Sequence, residues 1–271
     1  MSSISEFAIR PPAMAGTFYP AAADELAADI DRMLAGADVG RDAALPKAII
    51  VPHAGYIYSG PIAASAYALL RPLRGRIRRV VLLGPAHQVP FRGFALPSVK
   101  AFRTPLGDIP IDRPSIDRLR GLPQIKVLDD AHAGEHSLEV HLPFLQRTLG
   151  TFALLPVVVG LASGEDVAKL LDEVWGGAET LIVVSSDLSH YHAYAKAQAL
   201  DAVTATAIER FDGAALDEES ACGRVPIRGL LQVARRRGLA CRRLDLRNSG
   251  DTAGPRDRVV GYGAWALAPA A

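Results

Sequence analysis

Residues 181–190, LIVVSSDLSH, decide the expected fold. The four leading apolar residues, mostly β-branched, predict a buried strand, and the polar run after them predicts the loop that follows it. Ligands in open α/β sheets bind just beyond the carboxyl ends of the strands, so this loop is the expected place for chemistry. It carries two serines, a carboxylate and an imidazole: Ser185, Ser186, Asp187 and His190.

Two other segments repeat this arrangement of a buried strand followed by a turn that contains proline. Residues 48–53 (AIIVPH) end in His53, and residues 80–87 (VVLLGPAH) end in His87. The three strand ends meet most simply if the strands are parallel members of one sheet. Neutral imidazole is the commonest metal ligand among side chains, so two histidines in this position favour a metal site over two hydrogen-bonded strand ends.

Predicted strands and helices alternate along the whole chain, without a linker, a repeat or a change of composition. This predicts a single α/β domain over residues 1–271, with a central, mostly parallel or mixed sheet flanked by helices. Helices are expected at residues 22–34, 61–70, 163–175 and 195–211, from about residue 227, and near residue 138 with Ser137 as its cap. Further strands are expected at residues 151–160, 243–246 and 259–266, short strands within 91–112, and a polar loop at 36–45.

Positive and negative charges nearly balance. The chain has 30 lysines and arginines and 29 aspartates and glutamates, a formal net charge of +1 at pH 7. No global field therefore steers the protein toward nucleic acid or an anionic membrane. The basic runs at residues 71–79 and 235–237 are expected to be solvated helix ends and loops, so neither nucleic acid nor a membrane is an expected partner.

The composition is that of an ordinary globular enzyme, with 49% apolar and 22% charged residues. Two cysteines in 271 residues are too few for a secreted disulfide scaffold and favour a reducing cytoplasm. The first ten residues, MSSISEFAIR, lack the basic start and apolar core of a signal peptide. The most apolar stretch, residues 152–162, is about half the length of a membrane span and contains Pro156.

Asp187 and His190 lie three residues apart in the loop after the strand predicted at residues 181–184. This spacing fits an acid–base pair, a pair of metal ligands or a hydrogen bond within the loop. With His53 and His87 expected nearby, we assign His190 to the site. Asp187 stays open, because an aspartate at the start of a turn is often structural.

A second polar segment, residues 128–141, contains Glu135, His136, Glu139 and His141. Its order differs from the HExxH pattern of zinc proteases, because His136 and His141 are five residues apart and do not share one helical face. A thermolysin-like protease is therefore disfavoured. We expect these side chains to hydrogen-bond metal ligands or to shape the pocket.

Cys222 precedes Gly223 and Arg224 near a predicted helix start. A lone cysteine is most often a small buried apolar residue, and the residue pattern places that interpretation slightly ahead of a thiolate ligand or a nucleophile. Cys241, on a predicted strand, is expected to be structural. No glycine-rich phosphate loop follows a strand, so the sequence does not support nucleotide binding.

Six ordered motifs resemble the Memo family, called AmmeMemoRadiSam system protein B in bacteria and archaea. The resemblance runs from about residue 11 to residue 266, nearly the whole chain. The motifs are AGTFYP (15–20), PHAGYIYSG (52–60), GPAH (84–87), EHSLEVHLPF (135–144), SSDLSHY (185–191) and ACGRVPI (221–227).

The resemblance implies an α/β domain similar to class III, LigB-type extradiol dioxygenases, which hold non-haem Fe(II) with two histidines and a carboxylate. It implies His53 and His87 as metal ligands and Cys222 as the third, in place of the dioxygenase glutamate. The ligand role of Cys222 therefore rests on the resemblance, since the residue pattern alone favoured a structural role. His190 is similar to the acid–base histidine of the dioxygenases, so we expect it to donate or accept a proton, and we expect Asp187 beside it to orient it.

Three functions follow as hypotheses. The first is a redox-active metal-binding protein with iron, or with copper or zinc, which a cysteine ligand also suits. The second is a ring-cleavage dioxygenase acting on catechols, and the third is a non-enzymatic module whose pocket binds a peptide. The resemblance also implies a radical-SAM protein as a partner. The residues expected to support or line the pocket are Glu135, His136, His141, Ser186 and Arg224.

Overall fold

A computed structural model describes residues 8–38 and 44–270 of the chain. Two stretches considered in the sequence analysis lie outside the described residues. They are residues 1–7 of the N-terminal stretch and residues 39–43 of the expected polar loop. None of the described helices is long and apolar enough to cross a lipid bilayer.

Strands and helices alternate as expected. In chain order they are β1 (Ile9–Arg10), α1 (Ala23–Ala35), β2 (Ala48–Val51), α2 (Tyr56–Tyr67), β3 (Arg79–Pro85), β4 (Phe94–Leu96), β5 (Ala101–Thr104), β6 (Gly107–Pro110), α3 (Arg113–Leu119), β7 (Ile125–Val127), α4 (Asp130–Ala133), α5 (His136–Glu139), α6 (Leu142–Leu149), β8 (Ala153–Val159), α7 (Gly164–Val174), β9 (Thr180–Ser185), β10 (His190–His192), α8 (Tyr194–Glu209), α9 (Arg224–Arg236), β11 (Leu239–Asn248) and β12 (Val259–Pro269).

The larger sheet has the strand order β10-β12-β2-β9-β3-β8-β4-β7, with β11 also paired to β12. The four central strands β2, β9, β3 and β8 are parallel neighbours, whereas β12 and β4 run antiparallel to β2 and β8. Every residue of β2 and β9 is buried, which matches their continuous apolar sequences. The expected α/β fold with a mixed sheet flanked by helices is confirmed. A smaller sheet is formed by β1, β5 and β6.

Helix α1 shows why the apolar spacing predicted it correctly. Leu26, Ile30 and Leu34 lie four residues apart on one face and are all buried. Helix α7 begins with the expected capping box: Ser163 Oγ accepts from the amide of Asp166, whose carboxylate accepts from the amide of Ser163, both at 3.1 Å.

Three helix starts differ from the prediction. Helix α2 begins at Tyr56 and not at Pro61. Pro61 is tolerated inside the helix because its missing N–H leaves only the carbonyl of Ile57 without a helical hydrogen bond, and Ile57 is exposed to solvent. Helix α9 begins at Arg224 and not near Ile227. Pro226 lies in the first turn, where the backbone N–H groups make no hydrogen bond within the helix, so its missing N–H does not prevent the earlier start.

The third difference lies beside the site. The sequence predicted that Ser137 caps a helix near residue 138. In the structure Ser137 is not the cap. Glu135 is the cap of α5, and its carboxylate accepts from the amide of Ser137 at 3.0 Å. The Ser137 hydroxyl instead donates to the carbonyl of Pro85 at 2.8 Å, at the end of β3.

The register of the parallel strands determines where the site forms. Val51 of β2 is level with Ser185 of β9, and Leu83 of β3 is level with Val184 of β9. The loops after these three strands therefore leave the sheet at one edge, side by side. This confirms the prediction that the three strands are parallel members of one sheet.

Candidate metal centre

Three histidines meet at this edge of the sheet. His53 follows β2, His87 follows β3, and His136 is the first residue of α5. The ring centroids of His53 and His87 are 5.1 Å apart, those of His53 and His136 are 5.3 Å apart, and His87 stacks on His136 at 4.5 Å. One ligand nitrogen from each ring lies within 4.8 Å of the other two, so the cluster can hold a metal ion.

The protonation state of the cluster suits a metal. Burial lowers the pKa of His53 well below its usual value, and the neighbouring His87 and His136 lower it further. Burial and His87 also lower the pKa of His136. Both rings are therefore neutral near pH 7, the form in which imidazole binds iron, copper or zinc.

Glu135 orients His87. Its carboxylate accepts from His87 Nδ1 at 2.9 Å and from the His87 backbone amide at 2.7 Å. A ring that donates through Nδ1 keeps the lone pair of Nε2 free for a metal, which is the usual way a carboxylate supports a histidine ligand. Burial opposes ionisation of Glu135, but hydrogen bonds from His87 and Ser137 outweigh it and lower its pKa to about 2.

This pKa predicts a pH dependence of stability. Ionised Glu135 stabilises the fold above the unfolded-state pKa of 4.5, and the contribution, on the order of 3 kcal/mol, is lost as the pH falls through about 2. We therefore expect the difference in free energy of unfolding between the wild type and Glu135→Gln to shrink between pH 5 and pH 3 in urea titrations. A difference that stays constant over this range would contradict the assignment.

A buried chain of hydrogen bonds supports His53. Ser185 Oγ lies 2.6 Å from His53 Nδ1 and 2.8 Å from His141 Nε2, and Tyr67 OH lies 2.9 Å from His141 Nδ1. A hydroxyl has one proton, so Ser185 donates to one ring and accepts from the other. When it accepts from His53 Nδ1, the lone pair of His53 Nε2 is free for a metal. Burial lowers the pKa of His141 to about 3, which keeps this ring neutral in the chain.

A buried ion pair holds α5, and therefore His136, against the N-terminal segment. The guanidinium of Arg10 donates to the carboxylate of Glu139, and neither side chain is appreciably exposed. Glu139 also accepts from the amides of Ala13 and Met14, at 2.9 and 2.8 Å, and from the hydroxyl of Tyr19. Buried charges need such complete pairing, because each unpaired one is expensive to desolvate.

The cluster opens into a cavity of about 540 Å³ that His190 and Asp187 also line. Burial lowers the pKa of His190, so this ring is neutral at pH 7. Burial raises the pKa of Asp187 to about 7 although the amide of His53 donates to it at 2.8 Å. A carboxyl group whose pKa is raised toward neutrality, beside a neutral imidazole, is suited to acid–base chemistry.

The contacts of Asp187 point toward His53. Its Oδ2 lies 4.0 Å from His53 Nε2, and among the hydrogen bonds of the described residues none joins its carboxylate to His190. The expectation that Asp187 orients His190 stays a prediction.

Cys222 lies at the edge of the cluster. Its Sγ is 3.4 Å from His53 Nε2 and accepts from the amide of Asp187 at 3.3 Å. Within the described part of the chain, Sγ does not join the set of ligand atoms that all lie within 4.8 Å of one another. Burial, followed by the nearby carboxylate of Asp187, raises the pKa of the thiol to about 12, so it is protonated when no metal is bound.

Ser186 and Arg224 take up different positions around this cysteine. Ser186 Oγ accepts from the amide of Gly223 at 2.9 Å and donates to the carbonyl of Asp187 at 2.8 Å, which ties the segment around Cys222 to the end of β9. Arg224 pairs with Glu218 at 2.8 Å and lines a second depression of about 300 Å³ together with Cys222. It does not line the cavity of His53 and His87.

The structure brings together His53, His87, Asp187 and His190, as the sequence predicted, and adds His136 to the group that can hold a metal. The contributions of Tyr67, Arg10 and the strand β12 to the site were not predicted from the sequence. No local signal identifies them, because each reaches the site through a contact with residues at least 67 positions away along the chain.

Comparisons with known proteins identify the family of the chain. The sequence profile of the family described as "Memo-like protein" matches residues 10–266. A "MEMO1 family protein" of Aquifex aeolicus is 37% identical over 94% of this chain and 97% of its own length. Proteins of the same name from Aeropyrum pernix and Methanosarcina mazei are 37% and 34% identical, each over 94% of this chain and 98% of their own length. The chain therefore belongs to the Memo family.

Proposed function

We propose that this protein binds a mononuclear non-haem metal ion, iron above all, at His53, His87 and His136, and has a redox role. The observation that carries the proposal is the cluster of three imidazole nitrogens within 4.8 Å of one another. The neutral state of the buried rings supports it, since a protonated imidazole cannot bind a metal. A metal bound at this cluster would supply electron transfer and polarise an oxygen-containing ligand.

Cys222 extends the donor set. Its Sγ is close enough to His53 Nε2, at 3.4 Å, to reach the same ion once the thiol loses its proton. A coordinating thiol is deprotonated by the metal itself, so the high pKa of the metal-free thiol does not exclude this role. The softer sulfur also makes copper or zinc an acceptable alternative to iron.

The protein's own residues then have separate tasks. Glu135 orients His87, and Ser185 with His141 orients His53. His190 and Asp187 accept and release protons at the cavity wall, with pKa values moved toward or below neutrality by burial. Tyrosine and phenylalanine rings form part of the cavity wall beside these groups.

The direct test is the metal content of the protein purified without oxygen, and again after anaerobic reconstitution with Fe(II). We expect close to one iron per chain, together with oxidation of the bound ion by ferricyanide and its return with dithionite. A protein that holds no iron, copper or zinc after reconstitution would overturn the proposal.

Ring cleavage of catechols is a second candidate, favoured by His190 and Asp187 on the wall of a 540 Å³ cavity beside the histidine cluster. The iron-loaded protein would then turn over a panel of catechols to yellow ring-opened products. Absence of product from an iron-loaded protein would leave the redox proposal in place and remove this candidate.

A further inference from the structure

An arginine side chain, Arg258, lies at the rim of the cavity beside the histidine cluster and takes no part in the contacts described above. Arg258 lines the cavity, and its guanidinium lies over the ring of Tyr191 at 5.0 Å from the ring centroid. None of the ion pairs found among the described residues includes Arg258. The Arg258 guanidinium therefore has donors available for a ligand in the cavity.

The backbone holds this pair in place. Strand β10 pairs with β12 through His190 with Val260 and His192 with Val259, with an irregularity in the register at Tyr191. Tyr191 has a φ of +61°, in the left-handed region that residues other than glycine rarely adopt, and its side chain is 63% exposed. Such conformations persist where the surrounding structure imposes them, and they are common at ligand sites.

The charge available to a ligand in the cavity is mainly positive. Arg258 is the permanently charged side chain of its lining, and the floor is the histidine cluster proposed to hold a cation. The carboxylate among the lining residues, Asp187, is buried and engaged by the amide of His53. The complementary ligand is therefore negatively charged.

The shape of the lining restricts the ligand further. Aromatic rings contribute much of the wall, and a cavity of about 540 Å³ is of the size that holds small molecules. Flat rings favour a planar ligand, and a guanidinium fork favours a carboxylate, which it binds with two parallel hydrogen bonds. The aromatic residues of the lining are Phe18, Tyr58, Tyr191 and Tyr262.

We propose that Arg258 and Tyr191 form an anion subsite that binds the carboxylate of a small planar acid whose other end faces the histidine cluster. This deepens the proposed function by naming the ligand class of the same cavity. The subsite itself does not depend on the metal, because Tyr191 lies within β10, Arg258 directly precedes β12, and these two strands pair with each other.

The test compares benzoate with benzamide, a neutral molecule of the same shape, by NMR titration of the metal-free full-length protein. We expect benzoate to bind roughly tenfold or more tightly than benzamide, because a hydrogen bond to a charged partner is stronger than one between neutral groups. Arg258→Gln removes this preference. Arg256→Gln is the matched control, since Arg256 lies over Tyr194 at 4.5 Å in the same way but does not line the cavity, and this variant keeps the preference.

Three results would overturn the subsite: equal binding of benzoate and benzamide to the wild type, no benzoate binding up to tens of millimolar, or an undiminished preference in Arg258→Gln. A repeat with zinc-loaded protein separates this proposal from the metal site. A preference that needs zinc and survives Arg258→Gln would mean that the carboxylate binds the metal, and the subsite proposal would be wrong. A preference that persists in a protein unable to bind metal would leave the subsite standing while the proposed function fails.

Discussion

Replacing His53 or His87 with alanine is expected to abolish stoichiometric metal binding. Each ring supplies one of three nitrogens that lie within 4.8 Å of one another, and two remaining ligands rarely retain an ion against buffer. His136→Ala is expected to weaken binding by more than roughly 100-fold, beyond the 10–100-fold typical of residues that only orient a ligand. Metal per chain by mass spectrometry, and affinity from competition with a chelator, measure these effects.

Cys222→Ser separates two possible ligand sets. If three imidazoles hold the ion, this variant keeps its metal and loses the absorption band of a sulfur–metal bond. If Cys222→Ser loses the ion while His136→Ala keeps it, the third ligand is the thiol that the family resemblance implies, and our assignment of His136 is wrong. His192→Ala is the control, because His192 lies on β10 outside the cavity lining and its loss leaves metal binding unchanged.

Glu139→Ala is expected to lower the free energy of unfolding by about 3–5 kcal/mol, the range for breaking a buried ion pair. The substitution leaves the Arg10 guanidinium buried without its carboxylate and removes the acceptor used by two backbone amides and by Tyr19. Because Glu139 ends the short helix that His136 begins, metal affinity should fall as well. Urea unfolding at pH 7 measures the first effect and chelator competition the second.

The exposed pair between Arg147 and Asp31 is a matched control. It has a comparable separation, 2.5 Å, but both side chains are at least 40% exposed. Asp31→Asn should therefore change stability by less than about 1 kcal/mol. If Glu139→Ala is as mild as Asp31→Asn, the buried pair does not anchor α5 in the way its geometry suggests.

Local patterns were sufficient for the parts of the molecule that depend on near neighbours in the chain. Continuous apolar runs followed by polar loops identified β2, β3 and β9, since buried parallel strands need apolar side chains on both faces. The same patterns identified His53, His87 and His190 as residues at strand ends. Their expected meeting at one edge of the sheet was correct because parallel strands end on the same side.

Local patterns did not indicate that His136 joins the group of residues that can hold a metal. Residues 135–141 were expected to support the ligands, and their spacing excluded one helical face. In the structure α5 is a single turn capped by Glu135, so His136 and His141 point to different partners: His136 faces His87, and His141 bonds Ser185. A short turn is directed by its tertiary contacts and not by helical periodicity, so spacing alone could not place these rings.

By itself, then, the sequence determined the α/β architecture, the strand ends that carry histidines, and membership of the Memo family, because burial and motif order are properties of short segments. Only the tertiary structure decided that His136 joins His53 and His87, that Cys222 lies beside His53, and that Arg258, directly before β12, lies at the rim of the cavity. These contacts join residues separated by tens to more than a hundred positions, and their formation depends on strand order and side-chain packing, which the local sequence does not encode.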